Sequence, residues 1–262
     1  QKLTNQAALS GTVDGGDGTD TVNIDATGAT GQAFAFAPFI SFESLMVSGS
    51  GASDRAGLSG ALAFSTINLS NAGVSVAAGE TLSTTGPVTI TGGDGADGVF
   101  NAGTIAGDIA LGGGNDVGSG AGAFAGALDL GAGANSLTLD AGGTIAGPVT
   151  FGAGDDALSN AGTIAGLVSL GDGSNSVTNS GALNGGLLGG AGADTLDNSG
   201  TVAGQLALAG GDDSVTNSGT ISVLTDLGDG ANSFTNLSGG TAAAIMGGAG
   251  VDHITNAGTL GS

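Results

Sequence analysis

From Asn160 to Asn256 the chain repeats one unit: NAGTIAGLVSLGDGSNSVT, NSGALNGGLLGGAGADTLD, NSGTVAGQLALAGGDDSVT, NSGTISVLTDLGDGANSFT and NLSGGTAAAIMGGAGVDHIT. Asn160, Asn179, Asn198, Asn217 and Asn236 follow at steps of 19 residues, and Asn256 comes 20 later. A fixed period near 20 residues is the mark of a solenoid, in which each repeat is one coil laid on the last. Such a unit cannot bury its apolar side alone, so stacking is what makes the core.

Within a unit three short strands are expected, at Ser176-Val177-Thr178, Thr163-Ile164 and Val168-Ser169-Leu170 of successive coils. Apolar residues recur at matching positions. One column runs Val99, Leu137, Leu158, Val177, Leu196, Val215, Phe234 and Ile254. A second runs Ile105, Phe124, Ile145, Ile164, Leu183, Val202 and Ile221, and a third Ile109, Leu128, Val149, Val168, Leu187, Leu206 and Ile245. The residues between them are Ser, Thr, Ala and Asp, as expected where alternate strand residues face outward. No window holds helical spacing. The expected fold is all-β, a right-handed parallel β-helix of about 19 residues per coil, the hand following from the usual crossover preference. At ~4.8 Å per coil, roughly a dozen coils make a rod about 60 Å long.

Three sections of one continuous domain are read along it. Residues 1–24 form solenoid coil, with Asn5, Leu9, Val13 and Asp20 set against Asn179, Leu183, Leu187 and Asp194. Residues 25–92 form an irregular, wider section that holds Phe34, Phe36, Phe39 and Phe42 in alternation. Residues 93–262 form the regular repeat. The chain begins and ends inside a coil, which suggests a fragment or a unit that abuts neighbours. The recurring Asn is expected to build a ladder of amide hydrogen bonds.

Composition agrees with a thin interior. Among 262 residues there are 57 Gly but no Trp, Tyr or Cys, and aromatics make up 3%. A wide globular core would draw on large rings. The formal charge is −21, with Lys2 and Arg55 the only Lys or Arg. Nucleic acid is excluded as a partner, because phosphate binding needs clustered cations, and divalent cations are the natural counterpart. No secretory signal or membrane-spanning run is present in the sequence.

The turn before the first apolar column carries the chemistry. GGDGTDTVN from Gly15, GGDGADGVF from Gly92, GGAGADTLD from Gly189 and GGAGVDHIT from Gly247 fit G-G-x-G-x-D-x-U-x with U aliphatic. They resemble the calcium-binding nonapeptide of repeats-in-toxin proteins, where a turn of glycines and a carboxylate offers the hard oxygens that Ca²⁺ selects. The sixth position runs Asp97, Asp116, Asn135, Asp156, Asn175, Asp194, Asp213, Asn232 and Asp252, a column along one edge of the rod. Adjacent unit charges ~4.8 Å apart repel by roughly 3 kcal/mol at an effective dielectric of ~20. Candidate calcium ligands are therefore Asp20, Asp97, Asp194 and Asp252, in complete motifs, with Asp116, Asp156 and Asp213. The alternative is that Gly and Asp only satisfy turn geometry. The chain departs from the toxin arrangement in carrying one such motif per coil, opposite an Asn-x-Gly-Thr turn.

The unit N-x-G-T-I-x-G-x-V-x-L-G-x-G-x-D-x-V-T is similar to passenger regions of bacterial autotransporters and to repeats-in-toxin surface-layer proteins and adhesins. That resemblance implies an exported, extended β-solenoid on a bacterial surface: a non-catalytic structural or adhesive protein that meets cell surfaces or neighbouring subunits. Three alternatives stand beside it. One is a self-assembling filament or surface-layer subunit. Another is ice binding through outward hydroxyls such as Ser176, Thr178, Ser214 and Thr216. The third is a polysaccharide-active enzyme, for which Lys2, Arg55 and His253 are too few and too scattered.

Overall fold

The structure, a computed structural model, describes residues 2–3, 13–33 and 39–261. Asn5, Leu9, Phe34 and Phe36 lie outside the described residues. All strand pairing among the described residues is parallel, in three long sheets of 13, 12 and 11 strands and one two-stranded pair, Val13–Asp14 with Phe39–Ile40. One regular coil takes Ser176–Asn179 into the second (12-stranded) sheet, Ala182–Leu183 into the third (11-stranded) and Gly186–Leu188 into the first (13-stranded). The chain then turns through the Gly-rich segment and begins again.

The apolar columns are the registers of these sheets. Leu137, Leu158, Val177, Leu196, Val215, Phe234 and Ile254 are successive partners, with Gly118 filling the step between Val99 and Leu137. The second column continues from Ile221 to Ala242, and Thr225 stands between Leu206 and Ile245 in the third. Each strand alternates, as in Ser176–Asn179, where Val177 and Asn179 are buried and Ser176 and Thr178 exposed. A single apolar cluster runs the length of the stack from Val22 to Ala242. Because each coil adds only three or four apolar side chains, the core is long and narrow, and Gly and Ala fit at its corners.

The section at 25–92 belongs to the same stack with longer coils. In the first sheet Val22, Leu45, Ile67 and Ile90 are register partners at steps of 23, 22 and 23 residues, and Ile90 to Ile109 returns to 19. Phe64 is buried here and Phe42 packs against the cluster.

One expectation needs correction. Motif position sets Asp20 against Asp194, which stands at the corner leading into the second sheet. The strand after Asp20, Thr21–Asp25, instead belongs to the first sheet, paired with Lys2–Leu3 and Ser44–Ser48. Asp20 therefore stands at a different corner of the coil. In this section coil length changes, so position in a motif no longer fixes position in the stack.

The Asn ladder is present. Asn160 Nδ2 donates to Asn179 Oδ1 at 2.8 Å, Asn179 to Asn198 at 2.7 Å, Asn198 to Asn217 at 2.8 Å, Asn217 to Asn236 at 2.9 Å and Asn236 to Asn256 at 2.8 Å. Asn160 through Asn236 are buried, so the amides do inside the rod what water does outside.

Candidate functional site at the Asp turns

The sixth-position residues do form one continuous column, but its side chains run inward. Asp97, Asp116, Asp156, Asp194 and Asp213, with Asn135, Asn175 and Asn232, are each no more than 2% exposed. Each Oδ1 accepts a backbone N–H from the column residue of the preceding coil. The bonds run from Asp97 N to Asp116 at 2.8 Å, Asp116 N to Asn135 at 2.9 Å and Asn135 N to Asp156 at 2.7 Å. They continue from Asp156 N to Asn175 at 2.9 Å, Asn175 N to Asp194 at 3.0 Å, Asp194 N to Asp213 at 2.8 Å and Asp213 N to Asn232 at 2.9 Å. At the last step Asn232 N reaches Asp252 Oδ1 at 3.2 Å. Asp and Asn share the role because each offers the same oxygen.

The two residue types differ at the second atom. Asn135 Nδ2 donates to the carbonyls of Gly131 and Gly133 at 2.9 and 3.1 Å, and Asn175 and Asn232 Nδ2 donate to those of Gly171 and Gly228 at 3.3 and 3.0 Å. The residue four places before each Asn has positive φ, 77° at Gly131, 79° at Gly171 and 76° at Gly228, which turns its carbonyl toward the amide. Asp116 and Asp213 sit in the same kind of turn, with φ of 92° at Gly112 and 72° at Ala209. With Oδ1 placed alike, their Oδ2 takes the position of the amide nitrogen, and it has no partner; Asp156 Oδ2 has none either. Double-glycine turns behave differently, since Gly93 N donates to Asp97 Oδ2 at 2.9 Å and Gly190 N to Asp194 Oδ2 at 3.4 Å.

These surroundings set the acidities. Burial pushes Asp116 up to about 7, against the pull of the Asp97 N–H, and the neighbouring Asp97 carboxylate adds to the rise. Asp213 goes up to about 6 for the same reasons, with Asp194 beside it. Burial also raises Asp97, Asp156 and Asp194, while backbone donors hold each of them back. A proton on Oδ2 of Asp116 or Asp213 makes that atom a donor toward a turn carbonyl, as Asn is already.

A raised folded-state pKa means that the native protein holds the proton more tightly than the unfolded chain. These groups therefore favour folding at low pH, and stability falls as pH rises from about 4 to about 7. Asp116→Asn is expected to raise stability at pH 8 by about 1–2 kcal/mol and to flatten the melting-temperature profile over that range. A value well below the ~4 kcal/mol that three pH units represent is expected, because water lies one turn away. Thermal melts of both proteins from pH 4 to 8 check this.

A calcium ion takes six to eight oxygens at 2.3–2.6 Å. Each turn supplies one buried carboxylate or amide already bonded to backbone, and among the described residues no three His, Cys, Asp or Glu come together as a metal group. Asp20, away from the column, takes the Glu43 carboxylate on its own N–H at 2.7 Å, and its Oδ2 is buried without a partner. Asp252, at the far end of the column, accepts from both N and Nδ2 of Asn232.

The spacing missed Asp54. Gly49-Ser50-Gly51-Ala52-Ser53-Asp54 lacks the double glycine, yet it makes the same corner. Ser50 N and Oγ donate to Asp54 Oδ2 at 2.8 and 2.6 Å, and Gly28 N donates to Oδ1 at 3.0 Å. The Ser50 hydroxyl, then the two backbone donors, hold Asp54 below the usual carboxylate value, opposite in sign to Asp116. Outer turn residues also bridge coils: Asn115, Asp155 and Asp212 Oδ1 accept from Ala134, Ser174 and Ala231 N, and Asp172 and Asp229 from Ala191 and Ala249 N. Much of the acidity thus serves the stack itself.

No family model, curated protein or solved structure matches this chain. Its fold is therefore stated from its own geometry: an all-β solenoid of three parallel sheets with about 19 residues per turn.

Proposed function

We propose that this chain is a length of rod in a non-catalytic, extracellular surface protein of a bacterium, with a structural or adhesive role. The observation that carries the reading is the continuous stacking of three parallel sheets over about a dozen coils, held by ladders of buried Asn and Asp/Asn side chains. A chain built in this way gives length and stiffness at about 19 residues per 4.8 Å. The high negative charge keeps such rods soluble and apart. Among the described residues no helix is long and apolar enough to cross a membrane.

Calcium is left out of the reading, since the turn carboxylates are turned inward and bonded to the backbone. Repeating the pH 8 melts with a chelator is expected to leave the midpoint in place, and a fall on chelation would restore calcium to the account. The location is tested on intact cells of the producing organism, by protease or antibody access to this segment. Digestion or labelling of whole cells is expected; protection until the cells are lysed would contradict a surface role.

A further inference from the structure

The second sheet carries a cleft of about 530 Å³ on its outer side, where the chain turns toward the third sheet. Its floor is built around Arg55. The Arg55 guanidinium carbon lies 4.1 Å from the centroid of the Phe100 ring. Arg55, Gly73 and Gly98 are register partners in three successive coils. The two glycines clear the path: a Cβ on Gly98 would come within 2.8 Å of the Phe100 ring, and one on Gly73 within 3.2 Å of Arg55 Cβ. Phe100 therefore lies back over Gly98, and Arg55 reaches across the Gly73 coil to stack on it.

This cation is unusual for the chain that holds it. The protein has 23 carboxylates and two Lys or Arg in all. Yet among the described residues none of those carboxylates pairs with Arg55, and its buried Nε has no hydrogen-bond partner. A stacked guanidinium with unused donors matches a carboxylate, which it grips through two parallel bonds. Glu80 and Asp140 also line the cleft, with Ser75 and Ser119 between. Two acids beside one cation, in a field of −21, oppose any ligand of several negative charges. They favour one that carries a positive group as well.

The stack gives the separation. Phe100 pairs with Ser119 and Ser119 with Thr138, so Asp140 stands two coils beyond the ring that supports Arg55. Two coils (~10 Å) with the two-residue offset from Thr138 to Asp140 make about 12 Å, close to the span of a tripeptide with its two charged ends. We propose that this cleft binds the free C-terminus of a short peptide, its carboxylate on Arg55 and its ammonium toward Asp140. The volume suits a ligand of that size.

Calorimetric titration with tri-alanine, at low salt and pH 7, is the test. Binding at about 1 mM or tighter is expected. Amidation of the peptide's carboxyl should weaken it about tenfold or more, and Arg55→Gln should do the same. Asp140→Asn should weaken the free peptide a few-fold and leave the N-acetylated peptide unaffected. Equal binding of peptide and amide, or no binding of tri-alanine up to about 10 mM, would overturn the assignment. If Arg55→Gln does not fold, the amide comparison on the native protein decides alone. Loss of the peptide site would leave the rod reading untouched, because neither rests on the other.

Discussion

Replacing Gly173 by alanine is expected to lower the melting midpoint by roughly 10 °C, a large effect for a single methyl group. Two penalties coincide there. Gly173 has φ of 125°, outside what an L side chain readily adopts. A Cβ would also fall onto the carbonyl oxygen of Gly154 and lie 2.6 Å from its carbon, in the coil stacked directly beneath. That neighbour is backbone in sheet register and has nowhere to go. About 3 kcal/mol or more is the expected loss, at roughly 2–4 °C per kcal/mol for a chain of this size. Gly142 supplies the comparison, since its φ of 89° is also positive but its Cβ would meet nothing within 4 Å. Gly142→Ala is expected to cost about 1 kcal/mol, which is strain without the clash. Equal effects in paired thermal melts would mean that the coils are not in contact at the Asp turns.

Asn198→Leu is expected to cost about 3 kcal/mol, although leucine is close in size and more apolar. Asn198 accepts from Asn179 and donates to Asn217, so its loss strands a donor on one side and an acceptor on the other, both buried. Each orphaned group costs about 1–3 kcal/mol. The protein already holds leucine in this column at Leu139, the register partner of Asn160 and buried beside it. There the ladder simply begins, and Asn160 Oδ1 takes the Gly162 N–H at 3.1 Å. Asn160→Leu strands the Asn179 acceptor and the buried Gly162 N–H, again two groups, and is expected to cost about as much as Asn198→Leu. Urea titrations of the two variants against the native protein measure the ratio. A ratio far from one, or a cost under about 1 kcal/mol for either variant, would show that the ladder bonds are not what these amides supply.

The stack could be read from the sequence because every coil after Gly92 repeats the same problem and solves it with the same residue types. Val177 over Leu158, and Asn179 over Asn160, follow from a period of 19 as soon as the coils are taken to lie flush. The direction of the Asp column could not be read in that way. Asp at the sixth position suits a carboxylate facing out to a cation and one turned in to a backbone N–H, and the spacing is the same for both; the turn's φ angles bear on the second oxygen. Those angles also explain why Asp97 and Asp116, identical in sequence position, differ at Oδ2. Asp54 was hidden because Ser50 does with its hydroxyl and N–H what a second glycine allows elsewhere. Asp20 was misplaced for a related reason, since motif spacing locates a residue only where coil length is constant. Arg55 and Phe100 lie 45 residues apart, across coil steps of 18 and 25 in the second sheet, so no regular period brings them together.

Disulfide trapping tests the stacked register most directly, and a chain without cysteine suits it. Thr178 and Asp197 are outward partners on adjacent coils, while Thr178 and Thr216 are two coils apart. Neighbours at ~4.8 Å fall within the reach of a disulfide, and pairs at about 10 Å fall beyond it. Thr178→Cys with Asp197→Cys should close under mild oxidation with the fold intact, and Thr178→Cys with Thr216→Cys should stay reduced. Closure of the second pair as readily as the first, or failure of the first in the folded protein, would contradict the solenoid.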